Sequence, residues 1–126
     1  MCSEEKKELV WPWRIAALLG ALAVALGAFG AHSLAPLLEQ TGRLEVWKTA
    51  AIYHLAHAVL LVVLCALRPF PHRAWWLMAS GVVLFSGSLY LLCLTQRGWI
   101  GSVTPVGGLL LLTGWLVLAW RRPSTF

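Results

Sequence analysis

Four apolar runs in succession constrain this chain more than any other feature, because each is close to the length a helix needs to cross a bilayer. About 20 apolar residues span the hydrocarbon core. The runs are Ile15 to Ala31, about Thr49 to Leu67, Ala74 to Leu94, and about Ile100 to Trp120. They are continuous, whereas barrel strands alternate in short segments. The composition leaves little room for a water-soluble fold: of 126 residues, 60% are hydrophobic and 12% charged. A soluble domain carries about 25% charged residues, and a chain this size needs them to cover its surface. The expected fold class is an all-α membrane protein, a single four-transmembrane-helix antiparallel bundle with the lipid bilayer as its partner.

Boundaries follow from helix breakers and charges. Arg68-Pro69-Phe70-Pro71-His72-Arg73 reads as a tight turn, and Gln96-Arg97-Gly98 as another short connection. Short connections make neighbouring helices antiparallel. The first connection, about Ser33 to Lys48, is longer. In it Leu37, Leu38, Leu44 and Trp47 alternate with Glu39, Arg43, Glu45 and Lys48, a candidate short interfacial helix between helices 1 and 2. The expected layout is an N-tail over 1–12, helices over about 13–33, 48–67, 74–95 and 100–120, and a C-tail over 121–126. Trp11, Trp13, Trp47, Trp75, Trp76, Trp99 and Trp120 flank the spans, as tryptophan does at membrane interfaces. Lys6, Lys7, Arg14, Arg68, Arg73, Arg121 and Arg122 fall on one side, and Arg43, Lys48 and Arg97 on the other. Positive charge stays inside, so both termini are expected in the cytoplasm.

Charge and cysteine usage exclude several classes. The net charge of +5 comes from basic residues beside apolar runs, not from a basic stretch interleaved with aromatics, so nucleic acid is not an expected partner. Cys2, Cys65 and Cys93 form no CxxC or metal-binding spacing. Thiols within spans are read as space-filling, and Cys2 has no apolar segment before it to make a lipoprotein signal. A cleaved signal peptide ending near Gly30-Ala31 competes with the first span, but Glu4, Glu5 and Glu8 are out of character for one.

Lipid tails are as apolar as leucine, so membrane helices associate through close packing of small residues. Gly20 and Gly27 in the first span, Gly87 in the third, and Gly107, Gly108 and Gly114 in the fourth are the expected packing positions. Close packing within one bundle is the plain reading; homo-oligomer contacts or docking to a larger membrane complex are alternatives. No repeat relates the two halves of the chain.

The residues with chemical capacity gather toward one side of the membrane. Tyr53-His54-Leu55-Ala56-His57 lies in the second span, with His54 and His57 three apart and on nearly one face. At 1.5 Å per residue they lie roughly 8 to 12 Å below the outer surface. Ser86, Ser88 and Tyr90 share that half, and His32 and Thr104 lie at its rim. The inner half holds little beyond Ser80, Thr113 and Cys65. An ion path needs polar groups along its whole length, so a channel is not expected. Three readings of the histidines stay open: internal hydrogen bonding; a copper or zinc site made by His32, His54 and His57; and a pocket for a lipid, quinone or other small molecule. No acidic residue lies in any span, and no set of nucleophile, base and orienting group is visible, which disfavours an enzyme.

Four segments carry a family resemblance. Gly27-Ala28-Phe29-Gly30-Ala31-His32 ends the first span, and Trp47-Lys48-Thr49-Ala50-Ala51-Ile52-Tyr53-His54 with His57 opens the second. Phe85-Ser86-Gly87-Ser88-Leu89-Tyr90 lies at the centre of the third, and Thr104-Pro105-Val106-Gly107-Gly108 begins the fourth, followed by Gly114-Trp115. Together they resemble the family called domain of unknown function 423, which takes in the proteins named transmembrane protein 256. The resemblance covers about residues 13 to 120. It implies a small multipass protein, usually of the bacterial inner membrane, and no established activity or ligand. The expectation is a non-enzymatic membrane protein. Its outward-facing polar pocket is bounded by His32, Tyr53, His54, His57, Ser86, Ser88, Tyr90 and Thr104, and it binds a small ligand, lipid or partner there. An accessory subunit of a larger membrane complex and a metal-handling protein are the alternatives.

Overall fold

The computed structural model describes residues 3–122; Cys2 and the last four residues of the C-tail lie outside the described residues. Five α-helices follow in order: α1 Ser3–Ala31, α2 Ala35–Gln40, α3 Leu44–Leu64, α4 His72–Thr95 and α5 Thr104–Trp120. A 3-10 turn, Gly98–Ser102, leads into α5. Four stretches are long and apolar enough to cross a membrane: Lys6–Ala31, Leu44–Leu64, His72–Thr95 and Gly98–Trp120. The chain is thus an all-α, four-span membrane protein. α1 begins ten residues before the expected start at 13, running through Pro12. Pro12 lacks the N–H that would bond back one turn, and the helix continues past it.

The long helices alternate in direction, so the start of α1, the α3–α4 turn and the end of α5 share one end of the bundle, here called the termini end. The other is the far end. α1 packs on α3, α3 on α4, and α4 on α5. The α3 face that packs inward repeats at Trp47, Ala50, His54, His57, Leu61 and Leu64, all buried. These spacings of three and four are those of a heptad seam. Both histidines therefore occupy core positions.

α4 is the central helix, buried on two sides. Toward α3 it offers Trp75, Met78, Ser86, Tyr90 and Cys93. Toward α5 the match is a ladder: Ser88 meets Thr104, Phe85 meets Gly107, Gly81 meets Leu111, and Met78 meets Gly114. Each step along α5 answers an equal step back along α4, which is antiparallel packing with small residues at the closest points. A Cβ on Gly114 would lie 2.6 Å from Met78 Cγ, and one on Gly81 2.9 Å from Leu111.

The expected packing glycines divide. Gly107 and Gly114 lie in the α4–α5 seam, and a Cβ on Gly108 would meet only the Phe85 ring, in ordinary contact at 3.7 Å. Gly20, Gly27 and Gly87 are corrected: a Cβ on any of them would meet nothing within 4 Å. On α1 the small residues that are buried are Ala16, Ala23 and Gly30. Gly30 lies under the Trp47 indole, where a Cβ would come within 2.0 Å of Nε1.

Trp47 and Trp75 also differ from the expectation of flanking anchors. Both are core residues, 2% and 0% exposed. An indole N–H needs a partner when buried. Trp47 donates to the Leu26 carbonyl at 3.0 Å, and Trp75 to the Leu61 carbonyl at 3.1 Å. Each tryptophan thereby ties α3 to a neighbouring helix. The short α2 sits where the interfacial helix is expected, and its Leu38 is fully buried against Trp47, Ala50, Tyr90 and Cys93. Cys65 and Cys93 are free and buried in separate apolar clusters. At the termini end Arg121 Nη2 donates to the Pro69 carbonyl, joining the end of α5 to the α3–α4 turn.

Candidate functional site

Seven of the eight polar residues expected to bound one pocket fall into separate hydrogen-bonded groups, and His32 lies outside them. The first lies between α3 and α4, facing α1. His54 is 3% exposed, and its Nδ1 is 3.0 Å from the Tyr90 hydroxyl. Side chains on helices lean toward their own N-terminus. α3 and α4 are antiparallel, so His54 and Tyr90 lean toward each other and meet on the diagonal. Trp47 closes the group above, its ring 4.7 Å from that of Tyr90. Ser86 lies beside it and donates across the seam to the Ala50 carbonyl at 2.9 Å. Alanines flank His54 one turn away on each side, Ala50 and Ala58, both buried.

The second group faces α5. His57 Nδ1 is 2.8 Å from the Tyr53 carbonyl, and His57 Nε2 is 3.1 Å from Trp115 Nε1. A carbonyl only accepts and an indole N–H only donates. The ring proton is therefore on Nδ1, and the Nε2 lone pair is taken by Trp115. Tyr53 stacks over His57 and packs on Phe85, and the residue is 45% exposed. The third group is Ser88 and Thr104, whose hydroxyls are 2.6 Å apart at the top of the α4–α5 ladder. Ser88 also donates to the Phe85 carbonyl at 2.9 Å. His32 stands apart, exposed just past the end of α1.

These placements bear on the metal reading. Among the described residues no group of three His, Cys, Asp or Glu side chains is placed to hold a metal ion. His32, His54 and His57 are not brought together, and both ring nitrogens of His57 already have partners.

One atom in the polar half is left over. His54 Nε2 is buried and has no hydrogen-bond partner. The Leu19 carbonyl of α1 approaches the ring but does not meet hydrogen-bond geometry. Leu19 is also part of the wall of a groove of about 400 Å3 between α1 and α4, lined by Ile15, Trp76, Ala79 and Val83 among others. Buried polar atoms are nearly always partnered, and within a membrane an orphan costs more because water is absent. Spacing alone does not distinguish His54 from His57. What separates them is the neighbouring helix each one faces.

Comparison with known proteins gives a consistent picture. A family model described as "Protein of unknown function (DUF423)" matches residues 26–108. A UPF0382 membrane protein of Schizosaccharomyces pombe is 39% identical over 114 residues, covering 84% of this chain and 96% of that protein. One of Bacillus subtilis is 41% identical over 110 residues, covering 82% and 89%. One of Haemophilus influenzae is 43% identical over 110 residues, covering 84% and 88%. No solved structure matches the chain.

Proposed function

The chain belongs to the DUF423 family of membrane proteins, whose function is unknown, and we propose that it binds one small amphiphilic molecule inside the bilayer through His54. The observation that carries this reading is the buried, unpartnered Nε2 of His54. Tyr90 fixes the ring by holding Nδ1. The remaining nitrogen then offers one hydrogen bond in an apolar wall, which suits a ligand with a single polar atom at that point. The α1–α4 groove beside Leu19 gives such a molecule an apolar seat.

The proposed site is narrower than the eight-residue pocket. His57, Ser86, Ser88 and Thr104 spend their hydrogen bonds within the protein. Their role in this reading is to hold α3, α4 and α5 in register. The proposed orientation puts both termini in the cytoplasm and the His54 half away from it, supported by seven Lys and Arg at the termini end against three at the far end. The proposed membrane for this chain is the plasma membrane, the inner membrane of a bacterium.

The test is extraction of small molecules from the purified protein. Wild type is compared with His54→Leu and His57→Leu, each prepared in the same detergent. A compound present near one per chain in wild type and His57→Leu, and lost from His54→Leu, is the expected result. Identical extracts from all three proteins would overturn the reading.

A further inference from the structure

The two histidines of α3 hold their ring protons on different nitrogens. At His57 the proton is on Nδ1, because the Tyr53 carbonyl only accepts and Trp115 donates to Nε2. At His54 the contact on Nδ1 is the Tyr90 hydroxyl, at 3.0 Å. A hydroxyl can donate or accept, so its direction follows from what else the two groups reach. Among the described residues Tyr90 has no second hydrogen-bond partner. The tyrosine proton therefore has one acceptor within reach, the Nδ1 lone pair. With Nδ1 accepting, the ring proton of His54 sits on Nε2.

The reverse arrangement would leave two buried groups unpaired, the tyrosine proton and the Nε2 lone pair. The arrangement with Tyr90 donating leaves one, the Nε2 N–H. Inside a membrane no water is present to pair the extra group. His54 is 3% exposed, so its ring has no solvent to turn to. The unpartnered atom is thus a donor that needs an acceptor.

The α1–α4 groove limits what can bring that acceptor. Leu19 joins the two places: its carbonyl approaches the His54 ring, and the residue lines the groove. Among the described residues, no charged side chain lines the groove. Ser80 is the one polar side chain in its wall, and its hydroxyl donates to the Trp76 and Leu77 carbonyls, 2.7 and 3.1 Å away. Nothing else there donates a hydrogen bond or balances a charge.

We propose that the molecule received by His54 is uncharged and carries a carbonyl oxygen, which accepts from Nε2–H while the apolar remainder lies in the α1–α4 groove. The proposal rests on the reading of His54 as a ligand site and names the class of its ligand. A phosphate or ammonium headgroup would meet no opposite charge in the groove. A donor such as an amine N–H would face the Nε2 proton directly. A quinone ring and the ester of a lipid without a headgroup share the required chemistry.

The experiment is nitrogen NMR of the full chain in detergent, with isotope-labelled histidine. A ring nitrogen that carries a proton and one with a free lone pair give widely separated signals. The His54 signals are those lost in His54→Leu. If that variant misfolds, they are the set that survives in each of His32→Asn, His57→Leu and His72→Asn. The expected result is a proton on Nε2 of His54 and on Nδ1 of His57. A prenylated naphthoquinone, a fatty acid methyl ester and a prenylated naphthalene without a carbonyl are then added to separate samples of ligand-free protein. At least one of the two carbonyl compounds is expected to shift the His54 Nε2 signal and leave His57 in place. The one that does so at the lower concentration identifies the source of the carbonyl. The naphthalene is expected to shift neither histidine. A His54 proton on Nδ1 overturns the ligand class and leaves the site itself to the extraction test. Equal shifts from the naphthalene, or none from either carbonyl compound, overturn it too. Identical extracts from wild type and both variants would remove the site whichever nitrogen holds the proton.

Discussion

Gly107 of α5 lies against the backbone of Phe85 on α4, so close that a Cβ on Gly107 would sit 2.3 Å from the Phe85 nitrogen and 2.7 Å from its Cα. Neither partner is a flexible side chain. Gly107→Ala therefore forces the two helices apart, and a loss of about 1–3 kcal/mol is expected. Gly108→Ala meets only the Phe85 ring, at 3.7 Å, and should stay within about 0.5 kcal/mol of wild type. Unfolding in mixed detergent micelles, followed by helicity, measures both. Equal stability of the two variants would mean the seam is looser than described.

Gly30 and Gly27 make a paired test on α1. Gly30→Ala drives a methyl into the Trp47 indole, within 2.0 Å of the nitrogen that bonds Leu26. The cost is that of overpacking plus the lost hydrogen bond, about 2 kcal/mol. Gly27→Ala opens onto free space. It keeps the fold and gains up to about 1 kcal/mol from the better helix former. Opposite signs are expected from one unfolding assay. A destabilised Gly27→Ala would point to a partner on that face.

The contrast shows which parts of this molecule a sequence can disclose. Spans are legible because crossing length and hydropathy are properties of one segment read alone. The α3–α4 turn is legible because Pro69 and Pro71 break helices wherever they fall. Which glycine touches a neighbour is not, since it depends on how two helices are rotated about their axes. That is why Gly20 and Gly27 read as contacts while Gly30 makes one. Trp47 and Trp75 mislead for a related reason. Their positions at helix starts suit an interface, but carbonyls of Leu26 and Leu61 lie within reach of their N–H groups and draw them inside. His54 and His57 are both legible as inward-facing. Their separation into an α1-facing and an α5-facing group becomes visible only when α4 is placed between them.

The His57–Trp115 hydrogen bond links α3 to α5 across the flank of α4. Trp115→Phe keeps an aromatic ring and removes the donor. Interhelical hydrogen bonds in membranes average about 0.6 kcal/mol, reaching about 1.7. A double-mutant cycle of Trp115→Phe with His57→Leu should return a coupling in that range. A coupling indistinguishable from zero would show the two side chains to be neighbours without a bond.

His54 and Tyr90 allow a test of the orphaned nitrogen that needs no ligand in hand. Tyr90→Phe takes away the partner of Nδ1 and leaves the ring with two unpartnered nitrogens. A loss of about 1–3 kcal/mol is expected. His54→Leu combined with Tyr90→Phe removes every polar atom of the pair, including the Nε2 that is unpartnered from the start. Replacing both partners by apolar groups is close to neutral when both are satisfied, and here an unsatisfied atom goes as well. The double variant should therefore be as stable as wild type or more so, in protein refolded from denaturant into pure detergent. In protein taken directly from the membrane, a bound ligand adds stability to wild type alone, and the double variant should melt lower. If the double variant is the less stable protein even after refolding, Nε2 has a partner within the chain and is not free for a ligand.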